Sequence, residues 1–226
     1  MSRKRKPLVI FGNGDMARMI FYYLCEDYEV VAFAVDEDYV DEPQINDIPV
    51  VAFSTLIADY APELHCAVVA VGFVGMNRLR QGRFESLLLQ GYTLVNYIHP
   101  TAVIAANVEL GKNVIILEHV SIHAYSKIGD GVFISSQTNL GHDSEIKNHV
   151  WINAGVAVAG GTVVGECSVL GMNSSVANGL TLAAETFVAA NVYINRNTES
   201  GDVFLPNEAT QFRMKSQNFL KFMKVI

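Results

Sequence analysis

The most reactive pair of side chains lies in the stretch LGHDSEIKNHVWINAG, where His142 is followed directly by Asp143. An imidazole exchanges protons near neutral pH, and a neighbouring carboxylate can hold it in the orientation that general acid–base chemistry needs. Asp143 also fits a second interpretation as a turn former, because asparagine or glycine fills the equivalent position in much of the surrounding sequence. The pair therefore predicts either a proton-transfer site or a surface corner.

A second group of residues could hold a phosphate. The pattern Gly12-Asn13-Gly14 follows a short apolar run and precedes a helical spacing, so backbone N–H groups can face a phosphate at a helix N-terminus. An acidic residue about 20 positions on, here Asp36, suits a ribose hydroxyl. This pattern fits a nucleotide, NAD, or glycines that serve only a tight turn. A half-size domain of about 95 residues disfavours a dinucleotide.

Composition excludes several classes of function. The 226-residue chain has a net charge of −7, which disfavours nucleic acid as a partner because phosphate binding needs a basic surface. Half of the residues are hydrophobic, but no stretch approaches the roughly 18 apolar residues of a membrane span. Cys25, Cys66 and Cys167 lack metal-ligand spacing, so we expect no metal and a cytoplasmic location. The basic start MSRKRK is expected to be a solvated arm.

The first hundred residues alternate between strand and helix patterns. Strands are predicted over 7–11, 28–35, 49–53, 66–71 and 93–98, and helices over 15–27, shortly after residue 54, and over 77–89. Such alternation is typical of a parallel sheet with helices on its faces. An α/β domain is therefore predicted over residues 1–99, with the glycine pattern at its first strand–helix turn.

From residue 98 the hydrophobic period changes to six. Small or β-branched residues stand two positions before most of the repeating residues, and turn formers often stand three positions after them. A hexad repeat of this kind predicts a parallel β-helix over residues 100–200, because stacked coils share a buried column that one coil could not bury. Seventeen aliphatic residues keep this spacing without a break: Ile98, Ile104, Leu110, Ile116, Ile122, Ile128, Ile134, Leu140, Ile146, Ile152, Val158, Val164, Leu170, Val176, Leu182, Val188 and Ile194.

With both halves in this order, the chain resembles the hexapeptide-repeat acyltransferases, which fold as left-handed, three-sided β-helices. It is similar to the branch that carries a Rossmann-like domain in front, the nucleotide-sugar N-acetyltransferases of the bacillosamine and sialic acid pathways. The resemblance covers roughly residues 7–200 and rests on the hexads, the N-terminal α/β pattern and the HDS tripeptide at 142–144. It implies a homotrimer with active sites between subunits.

The resemblance assigns a mechanism to the first motif. It implies that His142 acts as the general base when a sugar amine attacks the thioester of acetyl-CoA, with Asp143 orienting the imidazole. It also implies that the backbone N–H of Gly160 meets the developing oxyanion. Gly160 follows His142 by eighteen residues, which is three hexads and one full coil, so the sequence itself supports their proximity.

The resemblance also assigns residues to the two substrates. Acetyl-CoA is expected to contact Trp151, Met172 and Ala190 together with Gly160. Two positions depart from the family, which often has a histidine at the places of Met16 and Trp151. Trp151 could stack on the cofactor or anchor a trimer interface. The nucleotide-sugar is expected to contact Gly12, Asn13, Gly14, Asp36, Glu37 and Gly72.

The C-terminal extension, residues 201–226, departs from the family as well. It keeps only Pro206 of the usual ending, and the run FRMKSQNFLKFMKV predicts an amphipathic helix. This helix is expected either to pack against the β-helix or another subunit, or to contact CoA phosphates through its lysines. Elsewhere, His119 and His149 occupy corner positions without a motif and are predicted as surface turns.

The leading interpretation is an acetyl-CoA-dependent N-acetyltransferase that acts on the amino group of a nucleotide-linked amino-deoxy-sugar for surface glycan synthesis. Two alternatives stay open. One is a sugar O-acetyltransferase of the sialic-acid type. The other is a non-catalytic nucleotide-sugar-binding partner subunit, which the altered ending and Trp151 favour. Neither nucleic acid nor a membrane is expected as a partner.

Overall fold

The fold is that of a computed structural model, which describes residues 6–207 and 211–223. The strands of its first sheet follow the order β3-β4-β2-β1-β5-β6, and every neighbouring pair is parallel except β3 and β4. Helices alternate with these strands, as the sequence pattern predicts. The elements are β1 (Lys6–Phe11), α1 (Asp15–Leu24), β2 (Tyr28–Val35), β3 (Gln44–Ile45), β4 (Ile48–Ala52), α2 (Leu56–Asp59), β5 (Cys66–Val69), α3 (Arg78–Leu89) and β6 (Thr93–Leu94), with 3₁₀ turns at Glu37–Tyr39 and Phe53–Thr55.

The centre of this sheet is apolar on both faces. Residues 8–11 of β1, 32–35 of β2 and all of β5 are buried. Parallel strands that are covered on both sides show such continuous hydrophobic runs. Their carboxyl ends meet at one edge of the sheet, so Gly12, Asp36 and Gly72, which follow β1, β2 and β5, come together there.

The second part of the chain is built from seventeen two-residue strands that alternate among three sheets. Each strand pairs in parallel with the strand eighteen residues away, as Ile116 does with Ile134. Three stacked parallel sheets fit the left-handed β-helix, and the prediction of this fold is confirmed. Face 1 contains β7 (Tyr97–Ile98), β10 (Ile115–Ile116), β13 (Phe133–Ile134), β16 (Trp151–Ile152), β19 (Val169–Leu170) and β22 (Phe187–Val188); face 2 contains β8 (Val103–Ile104), β11 (Ser121–Ile122), β14 (Asn139–Leu140), β17 (Ala157–Val158), β20 (Ser175–Val176) and β23 (Tyr193–Ile194); face 3 contains β9 (Glu109–Leu110), β12 (Lys127–Ile128), β15 (Glu145–Ile146), β18 (Val163–Val164) and β21 (Thr181–Leu182).

The hexad residues fill the interior of the β-helix. Every one of them from Ile116 to Ile194 is buried in a single hydrophobic cluster. Ile98 is 41% exposed because the stack begins at its coil. Burial of one such side chain stabilises the fold by about 1.5–3 kcal/mol, so this column is the main source of stability in the second part.

The outward side of face 1 carries a second apolar column, and the α/β domain packs on it. Met16, Met19 and Tyr23 of α1 share one hydrophobic cluster with this outer column. The outward residues of faces 2 and 3 are mostly small or polar. The α/β domain therefore packs against face 1 of the β-helix. The members of the outer column are Tyr97, Ile115, Phe133, Trp151, Val169 and Phe187, each eighteen residues from the next.

Two buried asparagines fix the α/β domain to the β-helix. The side chain of Asn113 accepts a hydrogen bond from the Val69 N–H at 2.7 Å and donates one to the Val69 carbonyl at 3.2 Å. Asn77 donates from Nδ2 to the carbonyl of Cys167 at 3.1 Å. Because these bonds satisfy backbone groups in the interior, a shifted docking arrangement would leave polar groups unpaired.

Arg80 and His149 form a buried contact between α3 and the β-helix. Arg80 is 2% exposed and donates to the His149 carbonyl at 2.8 Å and to Asn77 Oδ1 at 3.0 Å. Burial lowers the pKa of Arg80 to about 9 and that of His149 to about 4. The prediction of His149 as a surface turn is wrong, because α3 covers this corner. The rings of Phe84 and His149 are in contact there, with 5.1 Å between their centroids.

The described part of the C-terminal extension contains one strand and one helix. β24 (Val203–Phe204) joins face 1 beside β22, and α4 (Ser216–Phe222) follows. Within the described residues the predicted helix is thus shorter than the amphipathic run, and Lys224 lies outside them. In that same part, α4 makes no hydrogen bond or ion pair with the β-helix, and Phe222 is 66% exposed. No described helix has both the length and the apolar character needed to cross a bilayer.

Candidate active site

His142 and Asp143 lie in the turn that joins β14 on face 2 to β15 on face 3. Nδ1 of His142 is 2.7 Å from Oδ2 of Asp143. A carboxylate accepts hydrogen bonds, so in the neutral form of the ring Nδ1 carries the hydrogen and Nε2 has the lone pair. Both side chains are exposed, at 70% and 60%. A substrate from outside the chain can therefore reach the basic nitrogen.

Asp143 turns the chain as well as bonding to His142. Its φ of 56° lies in the left-handed region, where aspartate and asparagine are better tolerated than branched residues. Its backbone N–H donates to the Ala124 carbonyl one coil below, at 3.0 Å. The two interpretations of Asp143 are thus compatible, because the backbone makes the corner while the carboxylate orients the imidazole.

Gly160 lies one coil above His142 and contacts its ring. The Gly161 N–H donates to the His142 carbonyl at 2.8 Å, which holds the two corners in register. A Cβ atom on Gly160 would stand only 2.8 Å from His142 Nε2, so the ring position requires a glycine. The Gly160 N–H donates to no described residue. The corner can therefore offer a base and a hydrogen-bond donor to the same reacting group.

A cavity of about 420 Å³ opens at the edge of the α/β sheet. Gly12 has a φ of 123°, and a Cβ there would stand 2.6 Å from the Ala70 carbonyl oxygen, so the tight turn after β1 needs glycine. The Asp36 carboxylate is 2.7 Å from the Arg83 guanidinium. Five of the six residues predicted for the nucleotide-sugar line this cavity: Gly12, Asn13, Gly14, Asp36 and Gly72.

Glu37 lies outside the lining of that cavity, although the sequence assigns it to the same group. Its Oε1 atom accepts a hydrogen bond from the Ser54 N–H at 3.3 Å. Hydrogen bonding to Ser54 lowers the pKa of Glu37 below its ordinary value. Its carboxylate therefore serves the turn before α2.

A second cavity of about 680 Å³ lies between α1 and face 1, and we call it the interdomain cleft. Trp151 lies in the wall of this cleft and is 6% exposed. Its ring stacks on that of Phe133 with 4.0 Å between the ring centroids, and its Nε1 donates a hydrogen bond to Oδ1 of Asn153 at 3.1 Å. The cleft adjoins the first cavity, since Asp15, Met16, Gly72 and Val74 line both. Its apolar wall consists of Met16, Met19, Phe73, Val74, Leu117, Phe133 and Trp151.

Met172 and Ala190 occupy the corner between faces 1 and 2. They stack in successive coils, and the Asn191 N–H donates to the Met172 carbonyl at 2.9 Å. His142 lies at the corner between faces 2 and 3, which is opposite face 1. Within one chain the structure thus brings together His142, Asp143 and Gly160, but it holds Trp151, Met172 and Ala190 apart from them.

No protein-family model matches the chain, and no curated protein matches its sequence. Among solved structures, PerB from Caulobacter crescentus in complex with CoA and GDP-perosamine is 31% identical with a TM-score of 0.78. That match covers 87% of this chain and 92% of PerB. The chain belongs to the nucleotide-sugar N-acetyltransferase family. The predictions of this family and of an acyltransferase enzyme are therefore confirmed.

Two further structures are similar to this N-acetyltransferase. One is a histidine-to-alanine variant of GDP-perosamine N-acetyltransferase from Caulobacter crescentus with CoA and GDP-perosamine; it is 31% identical, has a TM-score of 0.77, and the match covers 87% and 92% of the two chains. The other is the acetyltransferase domain of PglB from Neisseria gonorrhoeae with acetyl coenzyme A, at 23% identity, a TM-score of 0.78 and coverage of 88% and 95%. At that identity the second likeness shows the fold alone.

Sequence reasoning missed several residues of this N-acetyltransferase. Asp15 and Phe73 line the interdomain cleft. The guanidinium carbon of Arg80 lies 5.1 Å from the centroid of the Trp151 ring. The outer column has a signal in the sequence, an aromatic or aliphatic residue every eighteen positions, which predicts a covered face. Among the described residues, no group of three or more His, Cys, Asp or Glu is arranged to hold a metal.

Proposed function

We propose that this N-acetyltransferase moves the acetyl group of acetyl-CoA to the amino group of a nucleotide-linked amino-deoxy-sugar in the cytoplasm. The observation that carries the proposal is the corner where Nε2 of His142, oriented by Asp143, lies against Gly160. Support for the substrates comes from PerB, whose structure contains CoA and GDP-perosamine.

In the proposed reaction, the sugar nitrogen attacks the thioester carbonyl while His142 Nε2 takes up the proton that it loses. The carbonyl oxygen becomes an oxyanion and accepts a hydrogen bond from the free Gly160 N–H. Collapse of this intermediate forms the amide and breaks the bond to sulfur. The imidazolium returns its proton to the leaving thiolate, so the products are the N-acetyl sugar and CoA.

We propose that the α/β domain, over residues 1–99, is a Rossmann-like module that binds the nucleotide. The cavity beside Gly12 and Gly14 lies at the N-terminus of α1, whose first N–H groups suit a diphosphate. A sugar on that diphosphate would enter the adjoining interdomain cleft. Trp151, Met172 and Ala190 remain the proposed contacts of acetyl-CoA on the β-helix, residues 100–200.

We also propose a homotrimer with active sites between subunits. The interdomain cleft, which adjoins the nucleotide cavity, lies on face 1, whereas His142 lies at the opposite corner of the same chain, so a site that contains both needs a second subunit. Face 2 joins the corner of His142 to the corner of Met172. Its outward residues Ser121, Asn139 and Ala157 are small and uncharged, which favours close approach by another subunit.

The test is turnover by His142→Ala with acetyl-CoA and a panel of nucleotide-linked amino sugars. We expect a loss of at least about 10²-fold in kcat, the range typical of a removed general base. His123→Ala is a matched control, because His123 is an exposed histidine with no hydrogen bond to any described side chain. Near wild-type turnover by His142→Ala would remove the proposed base.

The same panel separates the two alternatives. An amide product resists mild alkali, whereas the ester from a sugar O-acetyltransferase is hydrolysed. A non-catalytic partner subunit would not gain thermal stability from acetyl-CoA, whereas an enzyme that binds it is stabilised by mass action.

A further inference from the structure

Asp15 lies where the two cavities adjoin. It is the first residue of α1 and lines both the nucleotide cavity and the interdomain cleft. Among the described residues that line the cleft, Asp15 is the one with an ionisable side chain. Asp15 is also the one acidic residue among the four that border both cavities.

Asp15 differs from the other acid of the nucleotide cavity in having no partner. Asp36 is neutralised by the Arg83 guanidinium at 2.7 Å. The side chain of Asp15 forms no hydrogen bond or ion pair with any described residue, although Asp15 is itself the first residue of α1. Within the described part of the chain, no side chain therefore forms an ion pair with this group.

The charge of Asp15 opposes the binding of a bare nucleotide. A diphosphate at the first turn of α1 would lie close to the carboxylate, and like charges at such a distance repel each other. No lysine or arginine is among the described residues that line either cavity. The carboxylate favours a ligand that donates hydrogen bonds to it, and most strongly one that brings its own positive charge beyond the diphosphate.

We infer that Asp15 binds the amino group of the amino sugar in its ammonium form and thereby selects amino sugars over hydroxyl sugars; this rests on the proposed function. The ammonium releases one proton to solvent before the neutral amine attacks the thioester and gives its next proton to His142. The amine is the cationic part of the proposed substrate, and the sugar would lie in the cleft beside Asp15. Asp15 itself is exposed, and the other described residues that line the cleft, among them Trp151, Phe133 and Met19, carry no charge. If the only role of this carboxylate were to stabilise the N-terminus of α1, its removal would change the affinity for every ligand by the same factor.

The experiment compares Asp15→Asn with wild type in the full-length protein. Trp151 is the single tryptophan and lines the cleft, so its fluorescence reports ligand binding there. The ligands are GDP-perosamine, its analogue with a hydroxyl in place of the amine, and GDP, together with the UDP-linked counterparts. Asp38→Asn is the control, because Asp38 is an exposed carboxylate nearby that lines neither cavity.

We expect Asp15→Asn to weaken binding of the amino sugar about tenfold, the loss of one ion pair. It should tighten binding of the nucleoside diphosphate, since a repulsion is removed, and it should change binding of the hydroxyl analogue less than that of the amino sugar, since a hydroxyl donates a weaker hydrogen bond than an ammonium. KM for the amino sugar should rise about tenfold with kcat within about threefold. Asp38→Asn should leave all values unchanged.

Equal shifts for all ligands, or no shift, would overturn the role of Asp15 while leaving the proposed function intact, provided that wild type still acetylates the sugar. Failure of wild type to bind any nucleotide-linked sugar of the panel would overturn the proposed function and this inference with it.

Discussion

Gly160→Ala tests the proposed site with the smallest change, because it adds one methyl group against the imidazole. The Cβ would stand 2.8 Å from Nε2 of His142, 3.0 Å from Cε1 and 3.1 Å from Cδ2. Ordinary contact begins at 3.4 Å, so the ring must retreat by about 0.6 Å. A displacement approaching 1 Å costs on the order of 10²-fold in rate, so we expect kcat to fall about 10- to 100-fold.

The fold should survive this change. His142 is exposed and can swing outward, and Gly160 does not have a positive φ, so alanine adds no backbone strain there. We expect the free energy of unfolding to change by less than about 1 kcal/mol. This separates the substitution from those at Gly141 or Gly171, where a Cβ would meet backbone atoms at about 2.5 Å.

The assay is the release of CoA thiol at saturating concentrations of both substrates, with thermal unfolding measured on the same samples. Gly82→Ala is the control, since a Cβ at this exposed position of α3 meets nothing within 4 Å. It should keep the wild-type kcat. A folded Gly160→Ala protein with unchanged kcat would refute the reasoning that the imidazole works beside Gly160.

Three further predictions concern the corner and the domain contact. Asp143→Asn should lower kcat about 10- to 100-fold with KM little changed, measured by the same thiol assay, because an amide can fix the wrong tautomer of His142; an unchanged kcat would leave Asp143 as a turn former alone. The free energy of unfolding of wild type should fall as the pH drops from about 6.5 towards 4, because the unfolded chain protonates His149 in this range while the pKa of His149 in the folded protein is about 4. Urea titrations of His149→Asn should show a shallower fall. An identical pH dependence in the two proteins would count against a neutral buried ring. Asn113→Ala should lower the free energy of unfolding by about 2–4 kcal/mol, since it leaves the Val69 N–H and carbonyl buried without partners; a change below 1 kcal/mol would mean that water replaces the amide.

The β-helix could be predicted because its period fixes the environment of each residue. Any position is inside, outside or at a corner according to its place in the hexad, and Ile116 to Ile194 follow that rule. The same period predicts the contact between His142 and Gly160, since eighteen residues return the chain to the same corner. The strand over Tyr28–Val35 was predictable for a simpler reason, its continuous apolar run.

The remaining features depend on which face is covered, and the hexad does not contain that information. His149 follows the corner pattern of His119, yet α3 buries only the first of the two. Glu37 stands beside Asp36 in the sequence, but the 3₁₀ turn at Glu37–Tyr39 directs it to Ser54. Arg80 has no motif, because its buried position arises from a contact with the His149 carbonyl, which is 69 residues away in the sequence.

The outer column limits how this protein can change in length during evolution. A deletion of six residues before Trp151 would keep the aliphatic interior in phase, so the β-helix would still fold. It would also rotate Trp151, Val169 and Phe187 by one third of a turn, away from the remaining members below them. Three of the six residues of the outer column would then lie on a different face of the β-helix from the other three. Only gains or losses of whole eighteen-residue coils preserve both domains and their mutual orientation.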